Sequence, residues 1–288
     1  MKPYLFPQGA AFGKDNLILH ASAKRHRVEN FAGPLSIKSV LQGTVGWKLA
    51  GGEIRLDTGA FLVLNEGERY SMDIDSRAAV TTCCAFFRAG FVEGIGQDSI
   101  TPLAAALDEP ERPAPRLPFL TRLHLECPLL ESVHQLAPRC SGELQPSGFE
   151  EDFLSLANGL LRLYAEMTER MARVPAARAS TRAELLRRVE RAREYMHSVE
   201  GAPVSLRAAA RAACLSPYHF HRAFSAAYQR TPHAYVTEIR MGRARARLRG
   251  GASVSETAFE TGFANAPAFT RLFRSHYGMI PSQIRKIG

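Results

Sequence analysis

Two arginines stand at matching places in a repeated pattern. Phe220-x-Arg222-x-Phe224-xxx-Tyr228-xxx-Pro232 recurs as Phe269-x-Arg271-x-Phe273-xxx-Tyr277-xxx-Pro281, every element displaced by 49 residues. An arginine can place two hydrogen bonds on guanine O6 and N7; a phosphate or a neighbouring glutamate is the competing partner for Arg222 and Arg271. Aromatic residues four apart on a helix form one buried stripe, so both arginines fall off that stripe and face outward. Upstream, Ser205-Leu206 corresponds to Ser253-Val254 and Ala210 to Ala258, at a displacement of 48. The extra residue falls at the turn, where a change of length is tolerated.

The elements that must position these arginines are readable from the same stretch. In the first unit, about 205–228, Ser205 caps a short helix over Leu206–Ala213 with Leu206, Ala209 and Ala210 inward. Cys214-Leu215 makes the turn. Ser216 caps the next helix, with Pro217 at its first position. Phe220, Phe224 and Tyr228 form its buried stripe. In the second unit, about 253–277, Ser253 and Glu256 read as a capping box, with Val254 and Ala258 inward. Gly262 supplies the turn, and Phe269 and Phe273 anchor the helix that follows. Two helices joined by a tight turn, the second exposed along its N-terminal half, present that half to base edges in a major groove. The candidate DNA-contacting residues are Ser216, Tyr218, His219, His221 and Arg222 in the first unit. In the second they are Asn265, Ala266, Pro267, Thr270 and Arg271.

Pro232–Arg249 joins the units and spans about 25 Å as a helix. Successive major-groove openings on one face of DNA lie about 34 Å apart, so a rigid link slightly short of that favours DNA bent toward the protein. Of the arginines crowding it, Arg243, Arg245, Arg247 and Arg249 read as phosphate contacts or solvated, and Arg240 as a buried tie.

The charge balance points the same way. The chain of 288 residues carries a formal charge of +9. From Arg178 onward there are 19 Lys and Arg against 7 Glu, whereas the residues before it hold 18 basic and 21 acidic side chains. A polycationic end gathers phosphate by releasing counterions, whatever the DNA sequence. With 45% hydrophobic residues and no apolar run near the roughly 20 residues a membrane span needs, the composition is that of a globular protein of two domains, not a membrane one. The N-terminus shows no signal-peptide pattern, and five cysteines form no disulfide or zinc-ribbon spacing, so a cytoplasmic, reducing location is expected.

Before Arg178 the chain changes character. Short candidate strands at Leu35–Leu41, Thr44–Leu49, Glu53–Asp57, Ala60–Leu64, Arg69–Ile74 and Ala79–Arg88 alternate with glycine-bearing turns, which argues for a small barrel or jelly roll. Thr101–Pro118 reads as a loop and Phe119–Leu136 as a helix broken near Pro128. Phe149–Arg173 is a longer helix whose Phe153, Leu156, Leu160, Leu163, Met167 and Met171 stripe either packs on the barrel or forms a dimer seam. Thr181 and Glu184 suggest a capping box for the next helix, which Gly201 and Pro203 end. The expected fold is two-domain α+β: residues 1–173 a β-barrel with packed helices, 174–181 a linker, and 182–288 an all-α tandem helix-turn-helix domain.

Leu215-Ser216-Pro217-Tyr218-His219-Phe220-His221-Arg222-Ala223-Phe224, the run Gly262 to Phe273, and Gly278-Met279-Ile280-Pro281-Ser282 together resemble the AraC/XylS family of bacterial transcription regulators, over roughly Glu184 to Lys286. The resemblance implies that the helices starting near Ser216 and Ala266 are recognition helices. It also implies operator binding and control of transcription, commonly activation by contact with RNA polymerase; a homodimer is expected. Gln229 stands where the family usually has glycine, and Pro267 where a polar residue often reads a base.

Residues 35–74 look, more weakly, like the cupin-type effector barrel of the sugar-responsive branch. A metal-binding cupin shows a His-x-His pair and a later His. Here His20 and His26 are badly spaced and Arg69-Tyr70 occupies the later place, so no metal, cofactor or catalytic residue is assigned. His124 and His134 read as surface or satisfied histidines. Trp47 and Tyr70 could line an effector site, although a one-residue slip of register inverts every strand face. Cys83-Cys84 point to opposite faces of a strand and read as core rather than as an oxidant sensor. The expected activity is a DNA-binding regulator whose barrel senses a small molecule. The alternatives are the same regulator without a ligand, controlled by abundance or a protein partner, and an enzyme with an appended DNA-binding domain.

Overall fold

The computed structural model describes residues 4–100, 116–125, 128–139, 148–199 and 204–284. The chain divides into two compact units, Met1–Met167 and Thr168–Gly288. The first is built on antiparallel sheet and the second is helical.

Among its described residues the first unit has eight strands: β1 Tyr4–Phe6, β2 Leu17–Ala32, β3 Ser36–Gln42, β4 Val45–Leu49, β5 Gly52–Leu56, β6 Ala60–Leu64, β7 Arg69–Phe86 and β8 Leu123–Leu125. They pair antiparallel in the order β1-β2-β7-β3-β6-β8, with β4 and β5 branching from β7. Strand β7 shapes the whole. Its first half lies between β2 and β4, and its second half between β2 and β3. The expected cupin-like barrel is thus one curled sheet, and its alternation sorts residues onto two faces. Val40, Trp47, Ile54, Leu56, Leu62, Leu64, Tyr70, Ile74 and Val80 share the inner face. Ile37, Phe61, Val63, Cys83 and Ala85 face helices on the other side. Strand β6 is buried at all five positions because both its faces are covered.

Those covering helices are α1 Phe91–Ile100, α2 Pro128–Arg139 and α3 Phe149–Arg173. Phe153, Leu156, Ala157, Leu160 and Leu163 of α3 join the cluster that contains Ile37 and Phe61, so the apolar stripe packs on the sheet. Cys83 lies in that outer cluster, with its thiol 3.7 Å from the Val133 carbonyl, whereas Cys84 points inward beside Leu17 and Phe86.

Several expectations are corrected. The segments Arg69–Ile74 and Ala79–Arg88 are one strand of 18 residues, because both halves pair with the 16-residue β2, a strand the sequence did not suggest. Its second half, Lys24–Ala32, is mostly polar and exposed, with only Val28 and Phe31 as part-buried apolar side chains, and carries no regular apolar alternation. Leu123–Leu125 is a strand on β6 and not the first half of a broken helix, which begins only at Pro128. Most of the expected Thr101–Pro118 loop, and Gly201 and Pro203, lie outside the described residues.

The second unit contains α4 Ala179–Ser198, α5 Leu206–Ala212, α6 Pro217–Tyr228, α7 Pro232–Arg249, α8 Val254–Glu260, α9 Ala266–Tyr277 and α10 Pro281–Ile284. The expected Thr181–Glu184 capping box does not form. Helix α4 starts three residues earlier, and Arg178 at its N-cap makes no side-chain capping bond. Glu184 instead pairs with Arg188 at 2.9 Å and Arg187 at 3.5 Å. Leu206 is exposed rather than inward, and Ala209, Ala210 and Ala213 are buried in its place.

Candidate nucleic-acid interface

Each helix-turn-helix unit is held by its caps and its aromatic core. Ser216 Oγ accepts from the His219 amide at 3.3 Å and shares a 2.8 Å hydrogen bond with His219 Nδ1, which fixes that imidazole at the start of α6. Asn265 Oδ1 accepts from the Ala268 amide at 2.8 Å at the start of α9. Ser205, Thr231 and Ser253 cap α5, α7 and α8 in the same way. Phe220 and Phe224 of α6 and Phe269 and Phe273 of α9 are all within 1% of complete burial, and adjacent ring centroids lie 5.4–5.5 Å apart with the rings inclined at 60°. Seating α6 and α9 this way leaves one face of each helix in water.

The candidate contact residues occupy that face. Tyr218 is 70% exposed, and Ser216, His219, His221 and Arg222 are exposed beside it. In α9, Asn265, Pro267 and Arg271 are exposed, and Ala266 and Thr270 are half-buried. Among the described residues neither Arg222 nor Arg271 has a hydrogen-bond or ion-pair partner, so both guanidinium groups are available to an incoming acceptor. Arg207 and Arg211 on α5 and Arg274 on α9 are likewise exposed. The repeat did not single them out because they have no counterparts in the other unit.

The arginines of α7 are different. Arg240 donates from Nε to the Thr261 carbonyl at 2.7 Å and stacks 3.8 Å over Phe263, the expected tie, and burial lowers its pKa. Arg243 donates to the Val199 and His197 carbonyls. Arg247 pairs with Glu260, and Arg245 lies 5.2 Å from the Tyr277 ring centroid. The expectation that these side chains contact phosphate or are solvated is therefore corrected for Arg243 and Arg245, which are half-buried against the domain, whereas Arg247 is ion-paired yet exposed. Arg249 remains exposed.

A buried polar network, absent from the sequence reading, locks α4 to α6 and α7. Glu190 accepts from the Tyr228 hydroxyl and from Arg193 Nε at 2.6 Å, with both charged side chains under 10% exposed. Burial pushes the Glu190 carboxyl up, but Arg193 and the Tyr228 hydroxyl outweigh it and hold the pKa below the usual range. His197 Nε2 and the Tyr235 hydroxyl share a 3.0 Å hydrogen bond. Burial, with Arg193 and Arg243 nearby, lowers the His197 pKa to about 3. Its only sequence signal is Tyr228, which is part of the repeat yet ends in a hydroxyl that needs a partner.

Caps, paired aromatics and exposed second helices recur here in both copies, and residues 209–287 match a family model described as a helix-turn-helix domain. This region is a helix-turn-helix domain. Similar proteins include the bifunctional transcriptional activator/DNA repair enzyme Ada of Escherichia coli K12, 35% identical over 86 residues, or 30% of this chain and 24% of that protein. AdaA of Bacillus subtilis 168, described in the same words, is 33% identical over 73 residues, or 25% of this chain and 35% of its own. The chain thus spans about a quarter to a third of the length of these curated relatives. Among solved structures, an AraC-type regulator from Chromobacterium violaceum is 24% identical with a TM-score of 0.33, covering 38% of this chain and 95% of its own. ToxT of Vibrio cholerae is 10% identical with a TM-score of 0.38, covering 95% of this chain and 99% of its own. Among the described residues no helix is long and apolar enough to cross a membrane.

Proposed function

We propose that this chain is a sequence-specific transcription activator that binds operator DNA as a homodimer, contacts RNA polymerase, and takes its signal from a small-molecule effector in the curled N-terminal sheet. The observation that carries the DNA reading is the sorting of the arginines. On α7, Arg240, Arg243, Arg245 and Arg247 face partners within the domain, whereas Arg222 and Arg271 stand at equivalent places on two exposed helices with their donors unspent. In this reading Tyr218, His221, Arg222, Thr270 and Arg271 face base edges. Ser216, His219 and Asn265, at helix N-termini where amides and helix dipole favour anions, hold phosphates. Ala266 and Pro267 offer only apolar contact, so the first unit reads more sequence than the second. The inward-facing Trp47 and Tyr70 favour the effector reading over a regulator without a ligand, because they place a large aromatic surface inside the sheet.

Selection of tight-binding duplexes from a random pool, followed by footprinting on the recovered sequence, tests the DNA reading. One molecule should protect two major-groove segments about one helical turn apart. Recovery of no preferred sequence, or protection of one segment per molecule, would remove it.

A further inference from the structure

Lys38 lies on the inner face of the sheet, 1% exposed. In register it stands between Leu62 of β6 and Cys84 of β7. Its ammonium nitrogen sits 3.6 Å from the centroid of the Phe86 ring and 4.9 Å from that of Tyr70. Among the described residues it has neither an ion pair nor a hydrogen bond, and apolar side chains of two clusters flank it. Two aromatic faces offset only part of the cost of taking an ammonium out of water. A second donor is stranded on the same face: Trp47 is 1% exposed and its Nε1 is buried without an acceptor. A cation and an N–H donor, both unanswered inside an otherwise apolar shell, ask for a molecule that brings acceptor oxygens and a negative charge on an apolar body.

The route inward is visible. The Phe12 ring, 43% exposed, packs edge-on against Phe86 at 4.7 Å and against Phe31 at 5.7 Å, and Phe31 packs against Tyr70 at 5.6 Å. The rings that hold the Lys38 ammonium therefore reach the surface at one half-exposed phenyl group.

We infer that the inner face of the N-terminal sheet binds an apolar or aromatic monocarboxylate, with Lys38 as its ionic anchor and Trp47 as a donor to its oxygens or body. The inference rests on reading this unit as the effector chamber and names the chemical class that the chamber takes. Binding replaces a cation–ring contact with a buried ion pair, so it depends on charge as well as shape.

Trp47 is the sole tryptophan of the chain, so its fluorescence reports this site directly. The full chain is titrated with 3-phenylpropionate and octanoate, and with 3-phenylpropanol and octanol as neutral bodies of matching size. At least one acid should shift Trp47 emission saturably, with its alcohol weaker by about tenfold or more, the worth of one charge-assisted bond. Lys38→Met, shown folded by circular dichroism, should bind acid and alcohol equally. The inference is overturned if neither acid binds, if acid and alcohol bind alike to the native chain, or if Lys38→Met keeps the preference. Alcohols that bind as well as acids would leave the chamber standing and remove only the anion. The effector reading itself fails if a ligand shown to bind by Trp47 leaves operator affinity unchanged.

Discussion

Cys214 and Gly262 close the same turn, one in each helix-turn-helix unit, and both hold the left-handed backbone, with φ of 51° and 78°. Gln229 and Gly278 repeat the relationship at the ends of α6 and α9, with φ of 54° and 73°. The first unit thus keeps, with side chains that strain there, a backbone the second obtains from glycine. The Gln229 amide partly compensates by donating to the Ala226 carbonyl at 2.8 Å. Cys214→Gly and Gln229→Gly should each stabilise the domain by about 0.5–1 kcal/mol, and Gly278→Ala should destabilise it by a similar amount or more. Urea unfolding of each variant checks this; a glycine that destabilises at Cys214 would show that the turn is not strained.

Glu190 holds two helices through one carboxylate. Glu190→Ala removes the buried carboxylate that Arg193 and the Tyr228 hydroxyl face and should cost about 3–5 kcal/mol. Phe224→Ala opens a cavity in the aromatic core and should cost a comparable 3–5 kcal/mol. Calorimetric or denaturant unfolding measures both. A loss under 1 kcal/mol for Glu190→Ala would mean that water reaches the network.

His197 makes stability depend on acid. Its pKa in the folded chain is about 3, lowered by burial and by the facing Arg193 and Arg243 against the pull of Glu190. Below its ordinary value near 6.5, the unfolded chain takes up a proton that the folded chain refuses. Stability at this site is therefore complete above pH 6.5 and lost as pH falls toward 3, by about 2 kcal/mol at pH 5. Comparing native chain and His197→Gln from pH 7.5 to 5 isolates the effect, since Glu190 titrates in both. Parallel stability curves would contradict it.

Lys38 acts at the alkaline end. Burial lowers its pKa from 10.5 to about 8, so the folded chain holds the proton less well than the unfolded one. The penalty is full below pH 8 and fades as pH rises through 10.5. Lys38→Met should therefore stabilise the ligand-free protein at pH 7 by about 3 kcal/mol. That gain should shrink toward zero near pH 10.5, with the facing Cys84 and Tyr70, both pushed up by burial, present in each protein. Thermal unfolding at pH 7 and pH 10.5 checks it; an unchanged or lower melting temperature for Lys38→Met at pH 7 would contradict it.

The helical third was legible in the sequence because its signals are local. Caps at Ser205, Ser216 and Ser253 act over three residues, and the Phe220–Phe224 and Phe269–Phe273 pairs act over four. The sheet was harder to read. Arg25–Asp75 and Leu17–Phe86 are ladder partners far apart in sequence, and no local pattern announces such a pairing. The exposed half of β2 lacks alternation, so nothing marked it as a strand. Lys38 was invisible for the same reason: its burial depends on which way β3 faces, and that is fixed by β6 and β7. The α7 arginines misled because a charge count does not say which guanidinium groups are already engaged.

The account stands most directly on the ratio of operator to random-duplex affinity, measured by fluorescence anisotropy at one salt concentration for the native chain, Arg222→Ala and Arg271→Ala. It predicts that each substitution weakens the selected operator by about 1–3 kcal/mol while random-duplex binding changes little. Equal losses on both duplexes would place these arginines on phosphate alone, and a native chain without preference would contradict the account outright.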